Sequence, residues 1–217
     1  MPWLLIPFAY LLGSLSAAYW AGRLNRIDLR QHGSGNLGAT NAGRVLGARW
    51  FAVVFIADVL KGVLPVIAAH LVACSPGSRA WLLLATATAV VLGHVFTCFH
   101  GFKGGKAVAT SLGILAALVW PVALAALGSW LIAWFIGVRF GRLGKAGTVG
   151  PASVVAALSV PPARLLLYAQ PWSTAEWPIT IFLLLLALLV VVKHRSNLKA
   201  IFFATTRAPS PTSQASP

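Results

Sequence analysis

Three short stretches hold most of the residues that could do chemistry: 33–44 (GSGNLGATNAGR), 101–110 (GFKGGKAVAT) and 193–197 (KHRSN). The first interleaves Gly35 and Gly38 with Ser34, Asn36, Thr40, Asn41 and Arg44. Glycines permit a tight backbone there, and the side chains supply the donors that an oxyanion or phosphate needs. The second sets Lys103 and Lys106 around Gly104 and Gly105, just before an apolar stretch at 107–118. Lysine charge and a helix N-terminus would meet a dianion together there. The third places His194 and Asn197 at i, i+3, on one face if the helix continues. A histidine at that position is a candidate general base, alongside His32, His94 and His100.

Two familiar phosphate motifs are excluded. GSGNLG at 33–38 matches G-x-G-x-x-G and Asp58 follows it, but a long apolar run precedes it instead of the strand that a dinucleotide fold requires. FKGGK is no Walker A loop, because His100 stands where its first glycine belongs and no Ser or Thr follows Lys106. The chain holds only three acids, Asp28, Asp58 and Glu176. No carboxylate pair is available for acid–base work, and no residue cluster suggests a metal or a nucleotide cofactor. Asp58 and Lys61, at i, i+3 in an apolar run, are expected to pair as a structural ion pair. A scarcity of acids suits a pocket whose substrates bring their own negative charge.

Elements that position these stretches follow from composition. Hydrophobic residues make up 59% of the chain and charged residues 9%, whereas a soluble domain carries about a quarter charged residues. The expected fold is an all-α integral membrane protein, a single bundle of about seven transmembrane helices. Candidate spans are about 3–22, 51–71, 80–99, 107–120, 122–138, 149–168 and 178–192, with 1–203 as the membrane domain and 204–217 as a disordered tail. The first is expected to be retained as a helix instead of cleaved as a signal peptide, since no basic segment precedes it. The fourth and fifth spans reach only roughly 22 Å each, a thin hairpin or a re-entrant pair.

A net charge of +14 would suggest nucleic acid in a soluble protein. Here the charges sit in short loops between apolar runs, so membrane topology, anionic lipid and an anionic substrate account for them, with no nucleic acid partner. Fourteen of the seventeen basic residues fall on one side of the bundle, the exceptions being Lys61, Arg79 and Arg164. The positive-inside rule makes that side cytoplasmic, with the N-terminus outside and the C-terminus cytoplasmic. All three polar stretches then share the cytoplasmic face. Cys74 and Cys98 fall near opposite ends of neighbouring helices, so no disulfide is expected.

SGNLGATN, GHVFTCFHGFKGGKAVAT and KHRSNL resemble the three signature motifs of the bacterial acyl-phosphate:glycerol-3-phosphate acyltransferase family, the PlsY proteins. AYLLGSLSAAYWAGRL and DVLKGVLPV are similar to that family's first two helices, so the likeness runs from about Ala9 to Ile201. The resemblance implies a bacterial plasma (inner) membrane enzyme that moves a fatty acyl group from acyl phosphate to the 1-hydroxyl of glycerol 3-phosphate. Its products would be lysophosphatidic acid and phosphate. It implies no cofactor, membrane lipid as surroundings, and an upstream acyl-phosphate-producing enzyme as a partner.

By the same resemblance, Ser34, Arg44, Lys103 and Lys106 would hold glycerol phosphate. Gly35, Asn36, Gly38, Thr40 and Asn41 would form an acyl-phosphate and oxyanion cradle with Gly104 and Gly105. His194 and Asn197 would orient the acyl phosphate or its leaving phosphate, and the base is either His194 or a substrate phosphate. Three departures stand out: Thr97 replaces a usual proline, Ala107 replaces a usual glycine, and RFGRLGKAGTVG lacks a Ser-Leu-x-Ser. Thr148 and Arg142 are the candidates to replace the contact that this loop would make. A membrane transporter for a phosphorylated organic anion is the alternative class. It is disfavoured by polar stretches gathered at one face and by the absence of an internal repeat.

Overall fold

An apolar segment in hydrocarbon must satisfy its backbone within itself, and a helix does so for a lone segment. The computed structural model describes residues 2–73, 76–141 and 144–197, and among these it contains nine α-helices and no strand. They are α1 (Leu5–Ser14), α2 (Ala17–Leu24), α3 (Ala39–Leu46), α4 (Ala48–Val72), α5 (Pro76–Val95), α6 (Val108–Leu118), α7 (Trp120–Phe140), α8 (Gly144–Leu167) and α9 (Trp177–Lys193). Five segments are long and apolar enough to cross a membrane: Pro2–Leu24, Ala48–Val72, Arg79–His100, Trp120–Phe140 and Gly144–Leu167. α6 and α9 are apolar but shorter. The expected tail at 204–217, Arg142 and Cys74 lie outside the described residues.

Four local features depart from the sequence reading. The first span is two helices, because Leu15 is extended and Ser16 caps α2 by accepting the Tyr19 N–H at 3.2 Å. The carbonyls freed by that break are taken up by side chains: Ser14 O by the Thr97 hydroxyl at 2.7 Å, and Leu15 O by the Lys61 ammonium at 3.0 Å. α3 is a further short helix inside the first polar stretch, and it carries Thr40, Asn41 and Arg44. The α6–α7 arms are unequal, 11 and 21 residues, or about 16 and 31 Å. Most of the stretch expected as a loop after the fifth span is the start of α8, from Gly144 onward.

Packing divides the helices into two groups. α1 crosses α5, and α4 lies against α3, α5 and α6, while α7 runs along α8, and α8 along α9. Glycines let the first group close up: a Cβ at Gly62 or Gly113 would strike the Thr110 or Val59 carbonyl across the α4–α6 crossing. The groups meet where α6 turns into α7 and where α5 touches α9 and α3 touches α8. Ala9, Val66, Val90, Ile114, Val122, Val160 and Leu183 belong to one buried cluster spanning both groups. A second cluster of Leu29, Leu37, Ala42 and Val54 seats the first polar stretch on α2 and α4.

Candidate active site

Asn41 shapes the first polar stretch. Gly33 and Gly35 both adopt positive φ (62° and 68°), turning the chain on either side of Ser34. Buried Asn41 then accepts the Ser34 N–H on Oδ1 at 2.8 Å and donates Nδ2 to the carbonyls of Leu29 and His32 at 3.1 and 3.0 Å. Arg44 Nη1 donates to the same Oδ1 at 3.4 Å. Both amide hydrogens of Asn41 are therefore committed to the loop. The side chains of Ser34, Asn36 and Thr40 have no such partners among the described residues, and all three line a cavity with Arg44.

The second stretch is pressed against the end of α5. Gly104 and Gly105 donate their N–H groups to the carbonyls of Val95 and His94 at 3.1 and 3.0 Å. A Cβ on Gly105 would collide with His94 Nε2, so only a glycine lies flush on that ring. Ala107 closes the turn in a left-handed conformation, φ 60°, before α6 begins. This geometry turns Lys106 into the cavity, where its ammonium donates to Asn197 Oδ1. Burial, then the positive charges of Lys193 and Arg44, lower the Lys106 pKa below its ordinary value.

α9 delivers the third stretch. His194 is buried at its end, with Nδ1 at 2.8 Å from the Val190 carbonyl. A carbonyl only accepts, so Nδ1 carries the proton and Nε2 is left as the acceptor. Burial, offset by the Val190 bond and reinforced by Lys106, lowers the His194 pKa from its ordinary value, so the ring is neutral at pH 7. Asn197 fits because α8 is bare opposite it: a Cβ on Gly150 would meet its amide. Behind these groups, His94 Nδ1 sits 3.0 Å from the Thr110 hydroxyl and 3.9 Å from Asp58, which holds Lys61 at 2.7 Å as expected.

The cavity occupies about 670 Å³ between the two helix groups. One end is polar, lined by Ser34, Asn36, Thr40, Arg44, Lys106, His194 and Asn197. From there it continues between α6, α7, α8 and α9 as an apolar arm past Leu112, Leu131, Ala157 and Ala187. A family model described as glycerol-3-phosphate acyltransferase matches residues 3–204. The chain belongs to that family.

Relatives of the glycerol-3-phosphate acyltransferase family match it almost end to end. The glycerol-3-phosphate acyltransferase of Pseudomonas entomophila (strain L48) is 38% identical over 95% of this chain and 99% of its own. That of Synechococcus sp. (strain JA-3-3Ab) is 42% identical over 88% and 85%. Among solved structures, the crystal structure of PlsY (YgiH), an integral membrane glycerol 3-phosphate acyltransferase, in its glycerol 3-phosphate form superimposes with a TM-score of 0.77. It is 34% identical over 94% of this chain and 92% of that one. The lysophosphatidic acid form gives 0.74 at 32% identity.

Within this family member, the structure gathers Ser34, Gly35, Asn36, Gly38, Thr40, Asn41, Arg44, Lys106, His194 and Asn197 around one cavity. Lys103 is exposed and outside the lining. Gly104 and Gly105 are also outside it, and their N–H groups are already bonded, so they shape the turn instead of offering donors to an oxyanion. Thr148 is likewise remote: its hydroxyl turns back to the Gly144 carbonyl at 2.8 Å. Sequence reasoning missed Ser196, which lines the mouth, and Gly150, Trp130, Phe51 and Phe55, which line the arm or its entrance. Ser196 lay inside a motif already singled out. The others carried no signal, because their role depends on which helices become neighbours.

Proposed function

We propose that the chain transfers a fatty acyl group from acyl phosphate to the 1-hydroxyl of sn-glycerol 3-phosphate, giving lysophosphatidic acid and phosphate. One observation carries this reading: cations and neutral donors for phosphate line the mouth of the same cavity whose far arm is apolar. A substrate with a phosphate head and a fatty tail fits such a site, and its water-soluble partner reaches the mouth from the aqueous side. In this reading the bundle sits in the bacterial plasma membrane, with the mouth at the cytoplasmic face and the N-terminus outside, as the positive-inside rule requires.

The glycerol oxygen attacks the acyl carbonyl carbon, the carbon–oxygen bond to phosphate breaks, and the ester forms. The hydroxyl proton ends on the departing phosphate, either directly or by way of His194 Nε2. Arg44 and Lys106 hold the glycerol phosphate with Ser34, and Lys103 supplies charge at the rim. Asn36 and Thr40, with the backbone of Gly35 and Gly38, cradle the acyl phosphate and the developing oxyanion. His194 and Asn197 orient its phosphate. A mixed anhydride has a good leaving group, so alignment and charge stabilisation are the main demands on the protein.

The test is acyl transfer by purified, detergent-solubilised protein, given labelled glycerol 3-phosphate with palmitoyl phosphate or palmitoyl-CoA and no added metal. Labelled lysophosphatidic acid from palmitoyl phosphate alone is the expected result. Product from palmitoyl-CoA alone would replace the donor. No product from either, in folded protein, would restore the transporter alternative.

A further inference from the structure

The apolar arm has a floor, and each of the four helices around it contributes one residue. The deepest lining residues are Leu115 on α6, Ala126 on α7, Val160 on α8 and Leu186 on α9. α6 and α8 run away from the polar mouth while α7 and α9 run towards it, so on each helix this is the lining residue farthest from the mouth. Leu115 is eight residues beyond Ala107 and Leu186 eight before His194, each about 12 Å by helical rise. All four are buried at 3–6% exposure, and the cluster they belong to continues beneath them through Val122, Ala123 and Leu183. Nearer the mouth, Leu131 lines the same arm but is 51% exposed. Leu127, beside Ala126, also lines it and is 37% exposed, so the arm is open sideways along α7 and closed beneath by that cluster.

We propose that Leu115, Ala126, Val160 and Leu186, with Ala157 just above Val160 on α8, measure the acyl chain, so that this floor sets the longest chain bound without distortion. This rests on the acyl-phosphate reading above and assigns it a specificity device. Along α8 the lining runs from Ala146 to Val160, about 21 Å, against roughly 15 Å for one leaflet of a ~30 Å hydrocarbon core. The space suits a head group followed by a chain of ordinary membrane length. Ala126 and Ala157 keep the last part of it open, and a larger side chain at either would occupy the seat of the terminal carbons.

The experiment is a competition between palmitoyl and lauroyl phosphate, read as the ratio of their kcat/KM values. Each buried methylene is worth about fourfold in binding. Ala126→Phe and, independently, Ala157→Phe should lower the palmitoyl-to-lauroyl ratio by about tenfold or more. Val160→Ala should shift preference from palmitoyl towards stearoyl phosphate, and Leu166→Phe, on an exposed residue of α8, should leave the ratio at the wild-type value. Folded Phe variants with unchanged ratios would overturn the floor while leaving acyl transfer intact. Wild-type protein without product from any acyl phosphate would overturn the underlying reading, and the floor with it.

Discussion

Both ends of the bundle hold cations, and they treat them differently: Arg164 is buried, whereas Lys106 is half-buried and Arg44 exposed. At the end opposite the mouth, Arg164 is 1% exposed, donates to Thr180 Oγ1 at 3.1 Å and to Glu176, and lies 4.0 Å from the centre of the Tyr168 ring. Its charge is matched, and it ties α8 to the start of α9. At the mouth, among the described residues, Lys106 has only the neutral Asn197 amide as a hydrogen-bond partner, and Arg44 has only Asn41. Every carboxylate side chain of the chain is engaged elsewhere, Asp28 with Arg30, Asp58 with Lys61 and Glu176 with Arg164. A matched cation ties two helices together, whereas a pair of cations left without a carboxylate has charge to offer an anion, as the proposed function requires.

The contrast breaks most sharply by deletion. Arg44→Ala or Lys106→Ala should lower kcat/KM for acyl transfer by about 10²–10³-fold while leaving the thermal unfolding temperature in detergent nearly unchanged. Arg164→Met should do the reverse, costing about 2 kcal/mol of stability with kcat per folded molecule retained. Similar effects from both substitutions in both assays would erase the distinction between the two ends.

Converting one end into the other is the next test. Asn197→Asp places a carboxylate beside Lys106, as Glu176 stands beside Arg164. The KM for glycerol 3-phosphate should rise about tenfold, with the unfolding temperature equal or higher. An unchanged KM would mean that Lys106 does not face the substrate phosphate.

The pH profile addresses the proton. His194 has its pKa lowered by burial, so a limb due to it would fall below the ordinary value of 6.5, whereas a substrate phosphate titrates near about 6. Burial weakens His194 as a base, and the departing phosphate is bonded to the carbon under attack. A limb near pH 6 that survives His194→Gln is therefore the expected result, with kcat lowered about tenfold by lost orientation. Disappearance of the limb in that variant would assign the proton to His194.

The smallest effect concerns Ala107, whose left-handed backbone suits the glycine usual at that position in the resembling family. Ala107→Gly should raise stability by about 1 kcal/mol, measured as a small rise in unfolding temperature at unchanged KM. A loss of stability would show that the Cβ of this buried alanine packs better than its backbone strains.

Residue type and local order were enough to locate the polar stretches, the apolar helices and the Asp58–Lys61 pair. Motif spacing did not reveal that Asn41 is consumed as a tether, that Gly104 and Gly105 have no N–H to spare, or that Lys103 lies outside the cavity lining. Those outcomes depend on which carbonyls lie opposite, and the carbonyls belong to other segments. The break at Leu15 was hidden for the same reason, since a helix can open there only because Lys61 and Thr97, distant in the chain, receive its carbonyls.

Sequence alone yields an apolar helical chain whose basic residues gather in its loops, with three polar segments rich in hydrogen-bond donors. Hydropathy and charge act residue by residue, so they can be read without a fold. It takes the folded bundle to bring Lys106 to Asn197 across bare Gly150 and to open a cavity between the two helix groups. Cavities and partnerships arise from the packing of surfaces remote in the chain, and no local property of the residues specifies them.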